Sequence, residues 1–304
     1  MDFSECDQIT KIPDLSMAPN LMTLKLFNCG NLIEIDDSVG HLDKLEKWVL
    51  TGCHKLETLP DYLTLKSLKS FDLEECWSIK KFPNILHEMN CLHRLSLPES
   101  CNELPLSFGN LIGLKILFVG NANSVEVQLP GSIYNLRHIV QLDFFGNVIF
   151  PRNVEIDRQP MCNSLGCSSK CVFPMLKNLL FDRHKIYSEI EFILNYCCPH
   201  TLEELYIHNS EVVTLPESMS RFERLHTLFI GGCNEFREIP RLPHSIRRVE
   251  VVSRHSLDLQ SFFQVYLSLK DIKKLFVLPS QILHDLLRCN LLNLLIACSC
   301  FQKS

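Results

Sequence analysis

No basic run longer than two residues occurs in this 304-residue chain, and 30 lysines and arginines against 35 acidic residues leave a formal charge of −5. A nucleic-acid binder that neutralises phosphates needs the opposite sign and a clustered cationic stripe, so that class is excluded. None of the asparagines begins an Asn-x-Ser/Thr acceptor. The opening residues "MDFSECDQIT" carry acids and no apolar run of signal length. Neither glycosylation nor secretion is therefore expected. There is no GxxxxGK[ST] loop, nucleophile elbow or zinc-binding helix motif, and His87-Glu88 has no second histidine four residues after His87. The usual anchors for nucleotide, acyl-transfer and metal-hydrolase chemistry are thus missing, and neither enzyme activity nor a cofactor is expected. The most apolar stretch, "LLRCNLLNLLIACSC" at 286–300, is interrupted by Arg288, Asn290 and Asn293. It is too short and too polar to span a bilayer, so no membrane partner is expected.

What the chain does contain is a recurring apolar-x-apolar pair. Such pairs start at Met1, Leu24, Trp48, Phe71, Leu95, Leu117, Leu142, Leu179, Leu205, Leu228 and Val249, spaced by 23, 24, 23, 24, 22, 25, 37, 26, 23 and 21 residues. A period of about 20 to 29 built on LxxLxLxxN/C marks leucine-rich repeats, where one short strand and a return segment form each coil. The expected fold is an α/β leucine-rich-repeat solenoid, a horseshoe with a parallel concave sheet and short helical or extended convex segments. Alternation along a strand sends Leu24 and Leu26 inward and Lys25 and Phe27 outward. The expected organisation is repeats over 1–254 in about eleven units, an insertion at 152–175, and a cap or irregular tail at 255–304.

Fifteen cysteines would suggest disulfides in a small secreted domain. Their spacing says otherwise. Cys6, Cys29, Cys53, Cys76 and Cys233 all fall at the ninth position of the repeat, where the chain turns under its own core. A small buried side chain with a weak donor suits that place, so these thiols are expected to be reduced and inert. Other coils carry Ser100, Ala122, Asn147, His184, Ser210 and Arg254 there. Proline recurs after an apolar residue at Pro13, Pro60, Pro83, Pro105, Pro130, Pro151, Pro216 and Pro240, which predicts extended convex backbone outside any ladder. "SVGHL" at 38–42, "SFGNL" at 107–111, "SIYNL" at 132–136 and "SMSRF" at 218–222 predict single helical turns capped by serine.

The segment "LEKWVLTGCHKLETLPDYLTLKSL" at 45–68 resembles the repeat region of plant intracellular disease-resistance receptors, especially those with a Toll/interleukin-receptor domain. The resemblance covers about residues 1 to 255. It implies a cytoplasmic sensor in innate immunity and signal transduction. Its partners would be a protein ligand, either a pathogen effector or a modified host protein, and the nucleotide-binding domain of a parent receptor, held in its resting state. With no phosphate loop in the chain, nucleotide binding transfers to no residue. The chain is expected to be a sensor truncated from its switch, because Met1 and Phe3 already occupy core positions.

Cys162, Cys167 and Cys171 of the insertion, with Cys197, Cys198 and His200, could be drawn as a zinc site. They contain none of the CxxC pairs that make such a site specific, and the expectation is a solvated loop with incidental thiols and no metal.

The exposed column between core residues runs Asp2, Lys25, Val49, Asp72, Ser96, Phe118, Asp143, Leu180, Tyr206, Phe229 and Glu250. Leu180, Tyr206 and Phe229 come from three consecutive coils, and strands about 4.8 Å apart would stack them into an apolar ridge. Asp182 and His208, one alternation along, would flank it. These five residues are the expected protein-binding surface. Asp72, Glu74 and Glu75 form a separate acidic patch, expected to be solvated. Two other classes stay open at this point. A substrate-recruiting repeat domain of a ubiquitin ligase would lack the repeated "LP" and carry an adaptor-binding box. A secreted receptor ectodomain would show an asparagine ladder, paired cysteine caps and sequons.

Overall fold

Leu24 and Leu26 are fully buried, Lys25 between them is half-exposed and Phe27 is exposed. This strand alternation recurs through the structure, a computed structural model that describes residues 1–120, 126–152, 171–252 and 274–278. The chain divides into two units, Met1–Gln159 with Val172–Leu176 and Pro160–Cys171 with Lys177–Ser304.

The first unit carries strands β1 (Thr23–Lys25), β2 (Lys47–Val49), β3 (Ser70–Asp72), β4 (Arg94–Ser96), β5 (Ile116–Gly120) and β6 (Gln141–Phe145). Each pairs in parallel with the next, so Leu24, Trp48, Phe71, Leu95, Leu117 and Leu142 form one register row. All six are buried, and Trp48 stacks on Phe71 with ring centroids 4.7 Å apart. The second unit repeats the plan with β7 (Asn178–Asp182), β8 (Glu204–His208), β9 (Thr227–Gly231), β10 (Arg248–Val252) and β11 (Lys274–Leu278). Its buried row is Leu179, Leu205, Leu228 and Val249. Both units are therefore leucine-rich-repeat solenoids. Strand β11 extends the sheet within the stretch expected as a cap or tail; residues 253–273 and 279–304 lie outside the described residues. Met1 departs from its expected core position, with 49% of its surface exposed.

Eight coils leave their strand through one left-handed residue, while Glu99, before Ser100, does not use that conformation. Glu5, Asn28, Gly52, Glu75, Gly146, Arg183, Asn209 and Gly232 all have positive φ, and each immediately precedes the ninth-position residue of its coil. That reversal sends the chain under the core and explains why a small polar or thiol side chain follows.

The convex side differs from expectation in two ways. The apolar residues near the prolines do form short ladders: Lys11–Ile12 with Glu34–Ile35, Tyr62–Leu63 with Asn84–Ile85, and Val127–Gln128 with Val148–Ile149. The prolines themselves stay outside these pairs. The expected turns are present as 3-10 helices at Asp37–His41, Leu106–Asn110, Gly131–Asn135 and Glu217–Arg221, but serine does not cap them. Asp36, Pro105, Pro130 and Pro216 hold the N-cap positions. The serine hydroxyls bond to other coils instead: Ser38 and Ser107 accept from the Leu15 and Ile85 amides of the preceding coil at 2.8 and 2.9 Å. Proline fixes the φ that starts three of the four turns, and in the first the Asp36 side chain accepts from the Ser38 amide, so the serine hydroxyl is left to tie coils together.

The 26-residue spacing between Leu179 and Leu205 accommodates the α-helix α1 (Tyr187–Tyr196), longer than the single turn expected of a return segment. Ile190, Ile193 and Leu194 are buried along one face. Within the insertion, residues 153–170, including Cys162 and Cys167, lie outside the described residues. Its last part is core, with Val172 and Phe173 buried and the Phe173 ring 5.8 Å from Tyr134.

Candidate functional site

Parallel pairing of β7 to β10 places Leu180, Tyr206, Phe229 and Glu250 in one register row on the face opposite the core. Asp182, His208 and Gly231 form the next row, and Asn178, Glu204, Thr227 and Arg248 the one before. All five residues expected as a binding surface thus meet on one face, and all five are half-buried. The rings form a cluster. His208 stacks on Phe229 with centroids 4.5 Å apart and planes 16° from parallel, and Tyr206 lies 6.3 Å from each.

Polar groups fix this cluster. The Tyr206 hydroxyl donates to Glu204 Oε2 at 3.0 Å, and the Asn178 amide donates to the same oxygen at 2.7 Å. Burial and then Glu204 push the Tyr206 pKa up, so the hydroxyl remains a donor. Asp182 accepts from the Asn209 amide at 2.9 Å and lies 3.5 Å from Arg183 Nε. Arg248 pairs with Glu250 at 2.8 Å. Glu204 and Gly231 were not singled out from sequence. The alternation two residues before Tyr206 puts Glu204 on this face, and the Gly231-Gly232 pair marks a place where something approaches the backbone closely.

In the first unit two residues of the exposed column are not exposed. Ser96 and Asp143 are buried, and both are register partners of Phe118, over whose ring the Arg94 guanidinium sits at 4.5 Å. A short side chain beside a group of that size loses its access to water. Asp143 accepts from Gln141 at 2.8 Å, and burial raises its pKa. The acidic patch serves the turn: Asp72 accepts from the Glu74 amide at 3.1 Å, while Glu75 supplies the left-handed residue.

The ninth-position thiols act as donors. Cys29 reaches the Phe3 carbonyl at 3.1 Å, Cys53 the Leu26 carbonyl at 2.9 Å and Cys76 the Leu50 carbonyl at 3.0 Å. In each case the acceptor is the second core residue of the preceding coil. Cys233 repeats this with Ile207 at 3.7 Å. Cys6 is only half-buried, unlike the other four. Of the residues considered for zinc, Cys197 and Cys198 are buried, and His200 faces Glu223 at 2.9 Å. Among the described residues no group of His, Cys, Asp and Glu is arranged to hold a metal ion. Among the same residues no helix is long and apolar enough to cross a membrane.

A family model described as leucine-rich repeats of RPS4B-like disease resistance proteins matches residues 64–279. Protein SUPPRESSOR OF npr1-1, CONSTITUTIVE 1 from Arabidopsis thaliana is 27% identical over 252 residues, covering 82% of this chain and 14% of its own length. Disease resistance protein RPP5 from the same plant is 30% identical over 243 residues, covering 79% of this chain and 15% of its own length. TMV resistance protein N from Nicotiana glutinosa is 24% identical over 290 residues, covering 83% of this chain and 25% of its own length. The chain thus spans 14 to 25% of the length of these relatives.

Proposed function

The chain belongs to the leucine-rich-repeat family of RPS4B-like disease resistance proteins, and from that premise we propose that it is the non-catalytic recognition module of a cytoplasmic plant immune receptor. Its ligand is a protein, either a pathogen effector or a host protein altered by one. Its second partner is the nucleotide-binding domain of the parent receptor, which the repeats hold at rest.

One observation carries this reading: Leu180, Tyr206 and Phe229 stand in a single register row on the face that the core does not use. Burial drives folding through Leu179, Leu205 and Leu228 on the other face. The fold therefore asks for no large apolar group on the ridge, and aromatic residues on an outward face are typical anchors of protein recognition.

The test places Tyr206→Ala with Phe229→Ala in a full-length receptor carrying these repeats. The variant should accumulate normally and either lose its response to the ligand or signal without it. Normal signalling, or degradation like that of a Leu205→Ala core variant, would remove the ridge as the recognition surface.

A further inference from the structure

Glu204 stands apart from the other carboxylates around the ridge. Glu250 is paired with Arg248 and Asp182 lies beside Arg183. Glu204 receives only the neutral donors of Tyr206 and Asn178, both on Oε2. Among the described residues it has no ion-pair partner, and its Oε1 accepts no hydrogen bond. Two hydrogen bonds to one oxygen fix the direction of the carboxylate and leave its other oxygen open to a further donor.

Beside it the three rings lie within 16 to 31° of parallel, with centroids 4.5 to 6.3 Å apart. Ring faces of Tyr and Phe carry negative potential, so the surface is apolar in area and negative in field. Arg248, whose charge also reaches Tyr206, is taken up by Glu250, so an anionic group meets no unpaired cation in this row, and a purely aliphatic one leaves Oε1 of Glu204 without a donor. A planar cation satisfies both features at once, lying on a ring and donating to the carboxylate. Guanidinium has that shape, and its weak hydration makes it easier to desolvate than ammonium.

Resting on the reading of this face as the recognition surface, we infer that the ridge takes an arginine side chain of the protein ligand, stacked on Tyr206 and Phe229 and hydrogen-bonded to Glu204. Glu204 also orients the Tyr206 ring, and Gly231 acts as a positioning residue by leaving room for the Phe229 ring.

The experiment titrates acetylated tetra-arginine amide, and its neutral citrulline twin, into the full 304-residue chain with carbon-labelled aromatic rings. The arginine peptide should shift the Tyr206, His208 and Phe229 resonances, and the citrulline peptide should leave them unmoved. Glu204→Gln should weaken arginine binding about tenfold, as the loss of one charged hydrogen bond does. Equal binding of the citrulline peptide, shifts that map away from the ridge, or a change under about twofold in a folded Glu204→Gln chain overturns the inference. The peptide comparison uses the native protein and so stands even if the variant folds poorly. If Tyr206→Ala with Phe229→Ala silences a receptor that Glu204→Gln leaves responsive, the ridge stands and the arginine falls. If neither change matters to the receptor, both fall.

Discussion

The Phe229 ring rests over Gly231, so close that a β-carbon at position 231 would meet the ring at Cε1 and lie 3.0 Å from Cζ. The clash involves a side-chain tip rather than backbone, so Gly231→Ala should swing the ring out and cost only about 1 kcal/mol of stability. Aromatic resonances of Phe229 and His208 should move together, because the two rings stack. A variant with unchanged ring resonances would show that Gly231 does not set the ridge geometry.

Gly52 has φ +81°, and the side chain of Asn28 leans over it from the preceding coil; Asn209 stands in the same relation to Gly232. Gly52→Ala should therefore lose about 1 to 2 kcal/mol from the left-handed backbone alone, and more from the contact with Asn28. Glu75, at φ 61°, already bears that strain. Glu75→Gly should leave stability equal or raise it by up to about 1 kcal/mol. Denaturant midpoints of the two variants should shift in opposite directions or by clearly different amounts.

Arg221 Nη2 donates to the Leu194 carbonyl at 2.8 Å and to the Cys197 carbonyl at 2.7 Å, closing the C-terminal end of α1 with a cation. Arg221→Ala should cost about 2 kcal/mol, as expected for hydrogen bonds from a charged donor. Hydrogen exchange should accelerate first in the amides of α1. Uniform acceleration across the second unit would contradict a local capping role.

Burial pushes the Cys101 and Cys197 thiols up to about 12 from an ordinary 9.0. Cys76 is pushed up by the neighbouring Cys53 thiol and by burial, and burial raises Cys29 and Cys233. Cys53 is drawn down by Cys76, yet it is fully buried, so access rather than ionisation protects it. The unfolded chain releases these protons near 9 and the folded chain holds them, so this stability is whole below pH 9 and is lost as pH rises toward 12. Circular dichroism should show that alkaline loss. Native alkylation at pH 8 should label half-buried Cys171 before Cys29, Cys76 or Cys101. Equal labelling rates would contradict the thiol assignments.

The core columns were legible because strand alternation is strictly local: Leu205, Tyr206 and Ile207 announce their two faces within three residues. The ridge was legible for the same reason once the spacing aligned Leu180, Tyr206 and Phe229. The serines of the convex turns were not, because Ser107 chooses between its own helix and the Ile85 amide of another coil, a competition decided only by stacking. Arg221 reaches α1 across 24 to 27 residues, an offset that sequence proximity does not expose. Burial of Ser96 and Asp143 likewise depends on neighbours in adjacent strands and not on their own alternation.

Unfolding free energies of Tyr206→Ala, Phe229→Ala, Leu205→Ala and Leu228→Ala in the 304-residue chain test most directly whether the ridge serves recognition and not folding. The two leucine variants should lose about 2 to 5 kcal/mol each. The two ridge variants should lose about 1 kcal/mol or less, the scale of a half-exposed aromatic pair. Losses at Tyr206 and Phe229 equal to those at Leu205 and Leu228 would show that the rings belong to the core and contradict the account.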